Sequence, residues 1–185
     1  MSIEDKKRWD RKYREKIIPT KTIEVVENYA KLAKGKIALD IACGMGRNSR
    51  LLAKMGFMVE AIDISPLALN SLKGIENIKT KEVDLDTYKL KEDFYDLIVC
   101  TYFLERSLFP QIYKALKRDG IFIFETFKEH SKSTKVPSNK DFLLKEGELK
   151  EIFSKDYEII HLSERWGRDH FNNKVLSESI VVRKI

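Results

Sequence analysis

The stretch ALDIACGMGRNS, residues 38–49, decides the fold. KIALDIA (36–42) reads as a short buried strand, and RNSRLLAKM (47–55) has helical spacing until Gly56 stops it. Gly44 and Gly46 sit between them, where missing side chains let a ligand approach the backbone at the strand-to-helix turn. The same alternation continues outward. FMVEAID (57–63) is the next strand, followed by a helix over 65–73 with Ser65 as cap and Pro66 at its first position. NIKTKEVD (77–84), YDLIVCTYF (95–103) and GIFIFETF (120–127) supply three more strands, with a helix over 108–117 before the last. Segment 128–140 is a polar loop, and a helix near 146–154 leads to the strands YEIIHLS (157–163) and KVLSESIVVRKI (within 174–185). Upstream, Trp9 and Tyr13 share one face of a charged helix, and Thr20 caps a second helix with Ile23, Val26, Tyr29, Ala30 and Ala33 inward.

This alternation predicts an α/β fold: a doubly wound, mostly parallel sheet with helices on both faces. The last two strands are joined by about a dozen residues without a clear helix, too few for a parallel crossover, and so form an antiparallel hairpin at one edge. One domain over 1–185 is expected, with a helical cap over 1–34 and a Rossmann-like core over 35–185.

Lys and Arg number 35 and Asp and Glu 29, a net charge of +6 that permits anionic partners without establishing one. Cys43 and Cys100 are too few for a disulfide scaffold or a four-cysteine zinc site, and are expected as packed, reduced thiols. The N-terminus lacks the apolar core of a signal peptide and no apolar run reaches membrane-span length, so a cytoplasmic protein without a membrane partner is expected.

Three carboxylates end successive strands: Asp40, Asp63 and Asp84. In a doubly wound sheet they share the carboxyl edge, where ligands bind. Asp63 suits both hydroxyls of a ribose, and Asp84 an exocyclic adenine amine, with the amide of Leu85 on a ring nitrogen and Ile64 and Leu85 sandwiching the purine. Asp40 is awkward for a pyrophosphate and favourable for an ammonium or sulfonium. A nucleoside carrying positive charge is implied. A nicotinamide dinucleotide fits less well, because Ser49 replaces the third glycine of G-x-G-x-x-G and Asp40 replaces an apolar strand residue.

These residues resemble the first motif of class I S-adenosylmethionine-dependent methyltransferases. The Cys-Gly-x-Gly-Arg-Asn turn and DFLLKEGELKEIF (141–153) are most similar to the small tellurite-resistance-type methyltransferases. The resemblance implies a seven-stranded sheet with an antiparallel C-terminal strand, S-adenosyl-L-methionine as cofactor and S-adenosyl-L-homocysteine as product. It adds Ala42, Cys43, Asn48, Cys100 and Thr101 to the cofactor site, with Trp9 and Tyr13 closing over the methionine end. Ala42 stands where many relatives have a first glycine. Glu164-Arg165 replaces the His-Arg pair that such enzymes carry before the last strand, which argues against selenite or tellurite as acceptor. Tyr102, Glu105, Arg106, Glu125, Thr126, His130, Arg165, Arg168 and His170 are placed for an acceptor pocket, whereas His161 reads as structural. A small-molecule methyltransferase is expected because the core consumes almost the whole length. RNA or protein methylation, or a non-catalytic regulatory role, are the alternatives, and no evident RNA-binding module supports the first.

Overall fold

The computed structural model describes residues 3–15, 20–134, 139–168 and 172–185. Seven strands form one sheet: β1 (Ile37–Ile41), β2 (Met58–Asp63), β3 (Ile78–Glu82), β4 (Tyr95–Thr101), β5 (Leu116–Phe127), β6 (Tyr157–Arg168) and β7 (Lys174–Lys184). Their order is β3-β2-β1-β4-β5-β7-β6. The first five are parallel neighbours, while β7 lies antiparallel between β5 and β6. The terminal hairpin is thus present, with the last strand inside the sheet and β6 at the edge.

Both faces of the sheet are covered because β1, β4 and β5 are apolar on both sides. Leu39, Ile41, Ile98, Phe122 and Phe124 face one core with α5 (Phe109–Ala115) and α6 (Glu148–Phe153). Ala38, Leu97, Val99 and Ile123 face the other, under α2 (Glu24–Tyr29), α3 (Arg47–Lys54) and α4 (Pro66–Asn70). The link 83–94 carries no helix, and Leu85, Tyr88 and Leu90 cover that stretch of core themselves. α1 (Ile3–Glu15) docks on α4, where Asp10 accepts a hydrogen bond from Ser65 and Lys6 pairs with Glu82.

Two expectations of extent are corrected. The helix expected to reach 117 stops at Ala115, and Leu116 already pairs with Tyr95 before a register shift brings Ile121 opposite Leu97. β6 runs five residues beyond 163, so Glu164 and Arg165 lie in a strand, opposite Glu178 and Ser177, instead of in a loop. Charged outward residues of an edge strand hide the two-residue period that would have revealed it.

Candidate active site

The carboxyl ends of β1, β2, β4 and β5 meet under α1 and segment 20–24 around a cleft of about 850 Å³. That volume is in the usual range for a small-molecule site. After β1 the chain turns through left-handed backbone at Ala42 (φ 51), Gly44 (φ 55) and Gly46 (φ 76). Ala42 therefore adopts the conformation that a glycine would take freely. A Cβ on Gly44 would lie 2.7 Å from the Tyr13 hydroxyl, and one on Gly46 would collide with Leu72 beneath α3. Gly44 keeps the cleft floor open; Gly46 lets the helix pack.

Asp63, at the end of β2, is buried yet lines the cleft. It accepts from the amides of Gly44 (2.8 Å) and Ser65 (2.9 Å), with Ser65 also capping α4. Burial raises its pKa, and the backbone hydrogen bonds oppose that rise. A carboxylate has about four lone-pair sites, so acceptor capacity remains for a diol. Ile64 lies beside it in the cleft wall.

Asp40 lies beneath the turn and outside the lining, 1% exposed, and takes a 2.5 Å hydrogen bond from Ser49. Burial pushes its pKa up to about 7. Asn48 is a clasp: its amide donates to Thr101 Oγ1 (2.9 Å) and its carbonyl accepts from the amide of Ile23 (3.4 Å). Thr101, Ala42 and Cys43 line the cleft. Cys100 is packed in the core, its thiol donating to the Phe103 carbonyl, and burial raises the pKa of both thiols. Neither cysteine is disulfide-bonded.

Asp84 and Leu85 depart from the expected adenine contacts. The Asp84 carboxylate accepts from the amide of Asp86 at the start of a turn, the Leu85 side chain is buried in the core, and the two lie outside the cleft lining. Trp9 and Tyr13 do line it, stacked at 5.8 Å with Lys12 over the indole.

At the other end Tyr102 has φ 58, an uncommon value for an aromatic residue. Two bonds hold it there: its amide donates to the Glu125 carbonyl (2.7 Å) and its hydroxyl to Glu125 Oε1 (2.6 Å). Its ring lies against Phe127 (4.8 Å) and under the Arg47 guanidinium (5.2 Å). Arg165 reaches across from β6 to Glu24 (3.1 Å) and towards Glu125 (3.7 Å). Tyr102 and Arg165 therefore belong to the cleft, with Glu125 buried behind them.

Other acceptor-site expectations fall elsewhere. Arg106 makes a bidentate pair with Glu148 (2.5 and 3.0 Å) and binds the carbonyls of Asp141 and Leu143, so it fastens α6 instead of facing the cleft. Glu105 caps the turn at Ser107. Thr126 points into the sheet's other face beside Lys128. The exposed His130 ring packs edge-on against Trp166, also outside the lining. His161 bonds Tyr29 and Ser163, a structural position as expected. His170 lies outside the described residues.

Arg47, Lys12, Lys21, Phe103 and Phe127 also line the cleft and were not anticipated. Arg47 had a visible signal, standing directly after Gly46. Phe127 shares a strand face with Glu125, two residues earlier.

Strand order, a glycine turn after β1 and a carboxylate ending β2 together define a class I methyltransferase fold. Comparison with known proteins narrows this. The family described as tellurite resistance protein TehB matches residues 1–177, and the chain belongs to that family. It is 32% identical over 156 residues to the probable S-adenosyl-L-methionine-dependent methyltransferase TehB of Haemophilus influenzae, covering 78% of this chain and 54% of the other. The chain thus spans about half the length of the curated relatives it matches. The crystal structure of TehB from Haemophilus influenzae superposes with a TM-score of 0.76 at 25% identity, covering 97% of this chain and 67% of that one. A SAM-dependent methyltransferase from Methanosarcina mazei shares the fold with a TM-score of 0.69 at 18% identity, covering 89% and 99%.

Proposed function

We propose that the protein transfers a methyl group from S-adenosyl-L-methionine to a small-molecule acceptor, releasing S-adenosyl-L-homocysteine. The observation that carries this reading is Asp63: a cleft-facing carboxylate held by two amides, with acceptor capacity left for a ribose diol beside an open Gly44. The TehB relative's name supports the same cofactor. Gly44 lets the backbone approach the ligand, Ile64 flanks the purine, and Asp40 places negative charge below the sulfonium end. Residues 1–34 act as a cap on the core, Trp9 and Tyr13 closing the cofactor end. When bound, the cofactor supplies an activated methyl group, so the protein's share of catalysis is orientation and exclusion of water. Enclosure by α1, segment 20–24 and the end of β6 favours a small acceptor over a polymer. Among the described residues no helix is long and apolar enough to cross a membrane, and the reading places the protein in the cytoplasm.

Calorimetry tests the cofactor directly. The protein should bind S-adenosylmethionine, and Asp63→Ala should weaken binding about 100-fold, since two charge-assisted hydrogen bonds are lost. Binding of NAD in place of S-adenosylmethionine would overturn the proposal. Labelled methyl transfer into fractionated cell extract then asks for the acceptor.

A further inference from the structure

We infer that Tyr102 and Glu125 form a proton relay for an acceptor that is a neutral or anionic small molecule bearing an acidic S–H or O–H group. The inference rests on the proposed methyl transfer and adds the acceptor's class and the route of its proton.

The geometry supplies the relay. Tyr102 is the only tyrosine hydroxyl among the described residues bonded to a buried carboxylate at the inner end of the cleft, 2.6 Å from Glu125 Oε1. Having donated its proton inward, the hydroxyl keeps its lone pairs for a donor arriving from the cleft. The backbone at φ 58 is an uncommon conformation, and it is held by a second bond to the same residue, Tyr102 N–H to Glu125 O. A hydroxyl with only a packing role needs neither.

The surroundings select the acceptor. Arg47 stacks on the Tyr102 ring and makes no side-chain hydrogen bond or ion pair with the described residues, although it is half-buried. Burial lowers its pKa, as expected for a guanidinium short of a partner. Arg165 and Arg168 line the same end, next to the apolar Phe103, Phe127 and Val175. Arg165 is paired with Glu24 and lies near Glu125, so Arg47 is the guanidinium left to repel an alkylammonium and stabilise a developing thiolate or phenolate. Thiols and phenols are therefore favoured over amines.

The step balances. The bond from the acceptor's sulfur or oxygen to the methyl carbon forms as the sulfonium S–CH3 bond breaks, its electron pair leaving with S-adenosylhomocysteine. The acceptor's proton moves to Tyr102 Oη while the proton of Tyr102 moves to Glu125 Oε1, and from there it is lost to solvent on product release. The charged groups facing the pair are Arg47 from α3 and Arg165 from β6, the latter shared with Glu24 of α2.

The test uses the full chain, S-adenosylmethionine, and a panel of aryl and alkyl thiols and phenols, with and without a carboxylate, beside matched primary amines. Thiols or phenols should be methylated and the amines not. Tyr102→Phe and Glu125→Gln should each lower kcat/KM about 100-fold well below the acceptor's own pKa. The loss should shrink towards nothing as pH passes that pKa, because a pre-ionised nucleophile needs no base. A second readout does not depend on turnover: in the S-adenosylhomocysteine complex, Tyr102→Phe should weaken calorimetric affinity for the same thiol or phenol about 5–10-fold. Cofactor affinity measured in both variants serves as the control for folding. A pH-independent loss, preference for amines, or no transfer to any thiol or phenol by a protein that binds the cofactor would overturn the relay. Failure of the wild type to bind S-adenosylmethionine would instead overturn the reading on which it rests.

Discussion

Gly44 concentrates the chemistry of the turn in one missing methyl group. Its backbone is left-handed, and the Tyr13 hydroxyl occupies the space a Cβ would need. Gly44→Ala should cost about 1–2 kcal/mol from the backbone alone. It should also push Tyr13 and its stacking partner Trp9 away, red-shifting Trp9 emission when measured in a Trp166→Phe background. Unchanged emission with unchanged stability would mean that α1 does not rest on the turn. Gly44, Asp63 and Tyr102 were legible because turn glycines and strand-end residues keep their places in any doubly wound sheet. Arg106 was not, since its partners Glu148, Asp141 and Leu143 lie some 35 to 42 residues further along the chain. For Asp84 and Leu85 the strand end was legible, but not the turn after it, in which Asp84 accepts from the amide of Asp86 and the Leu85 side chain packs into the core.

Two elements frame the cleft and differ in how they are held. α1 is highly charged and is attached through a few contacts, among them Asp10 with Ser65, Lys6 with Glu82, and the Trp9–Tyr13 face. Such an element opens at a cost far below global unfolding. Its amides should exchange rapidly in the free protein and become protected when S-adenosylhomocysteine is added. Equal exchange in both states would remove α1 from the site. The β5–β7–β6 end is held from within. Lys128 is buried and reaches Glu146 (3.0 Å), Glu178 (3.6 Å) and Glu164, joining three segments through one ammonium. Lys128→Met keeps the volume but leaves these carboxylates facing one another. Glu178 is the buried partner while Glu146 and Glu164 reach water, so the change should destabilise the fold by about 1–2 kcal/mol at neutral pH in denaturant titrations. The deficit should narrow below about pH 4, where carboxylates protonate. The same carboxylates hid the length of β6 in the sequence, because Glu164 in an alternating strand reads as loop until Lys128 is known to cover it.

Over the whole molecule several of the 35 cationic side chains are paired, among them Lys34–Asp119, Lys91–Glu60, Lys117–Asp96 and Arg183–Glu158, and the net +6 is the excess over 29 acids. Surface pairs of this kind add little stability. The charge that matters for the proposed ligand is negative and buried. Burial raises Asp40 from 3.8 to about 7 and raises Asp63 as well, with the charge of Asp63 adding to the shift of Asp40. For a carboxyl raised on folding, the folded chain holds the proton more tightly, so stability falls as pH climbs from about 4 to about 7 and levels off above. Binding has the opposite sign. A cation above the turn favours ionised Asp40, so a ligand bound below pH 7 must expel its proton. Affinity for S-adenosylmethionine should therefore rise with pH by up to about tenfold per unit below 7, then flatten. S-adenosylhomocysteine, which lacks the sulfonium, should show a shallower rise. Asp40→Asn keeps an acceptor for Ser49 and should remove the part of the slope that levels off near pH 7 for both. Calorimetry across about pH 5.5 to 8 checks this, and equal slopes in wild type and variant would show that Asp40 serves only to anchor Ser49 beneath the turn.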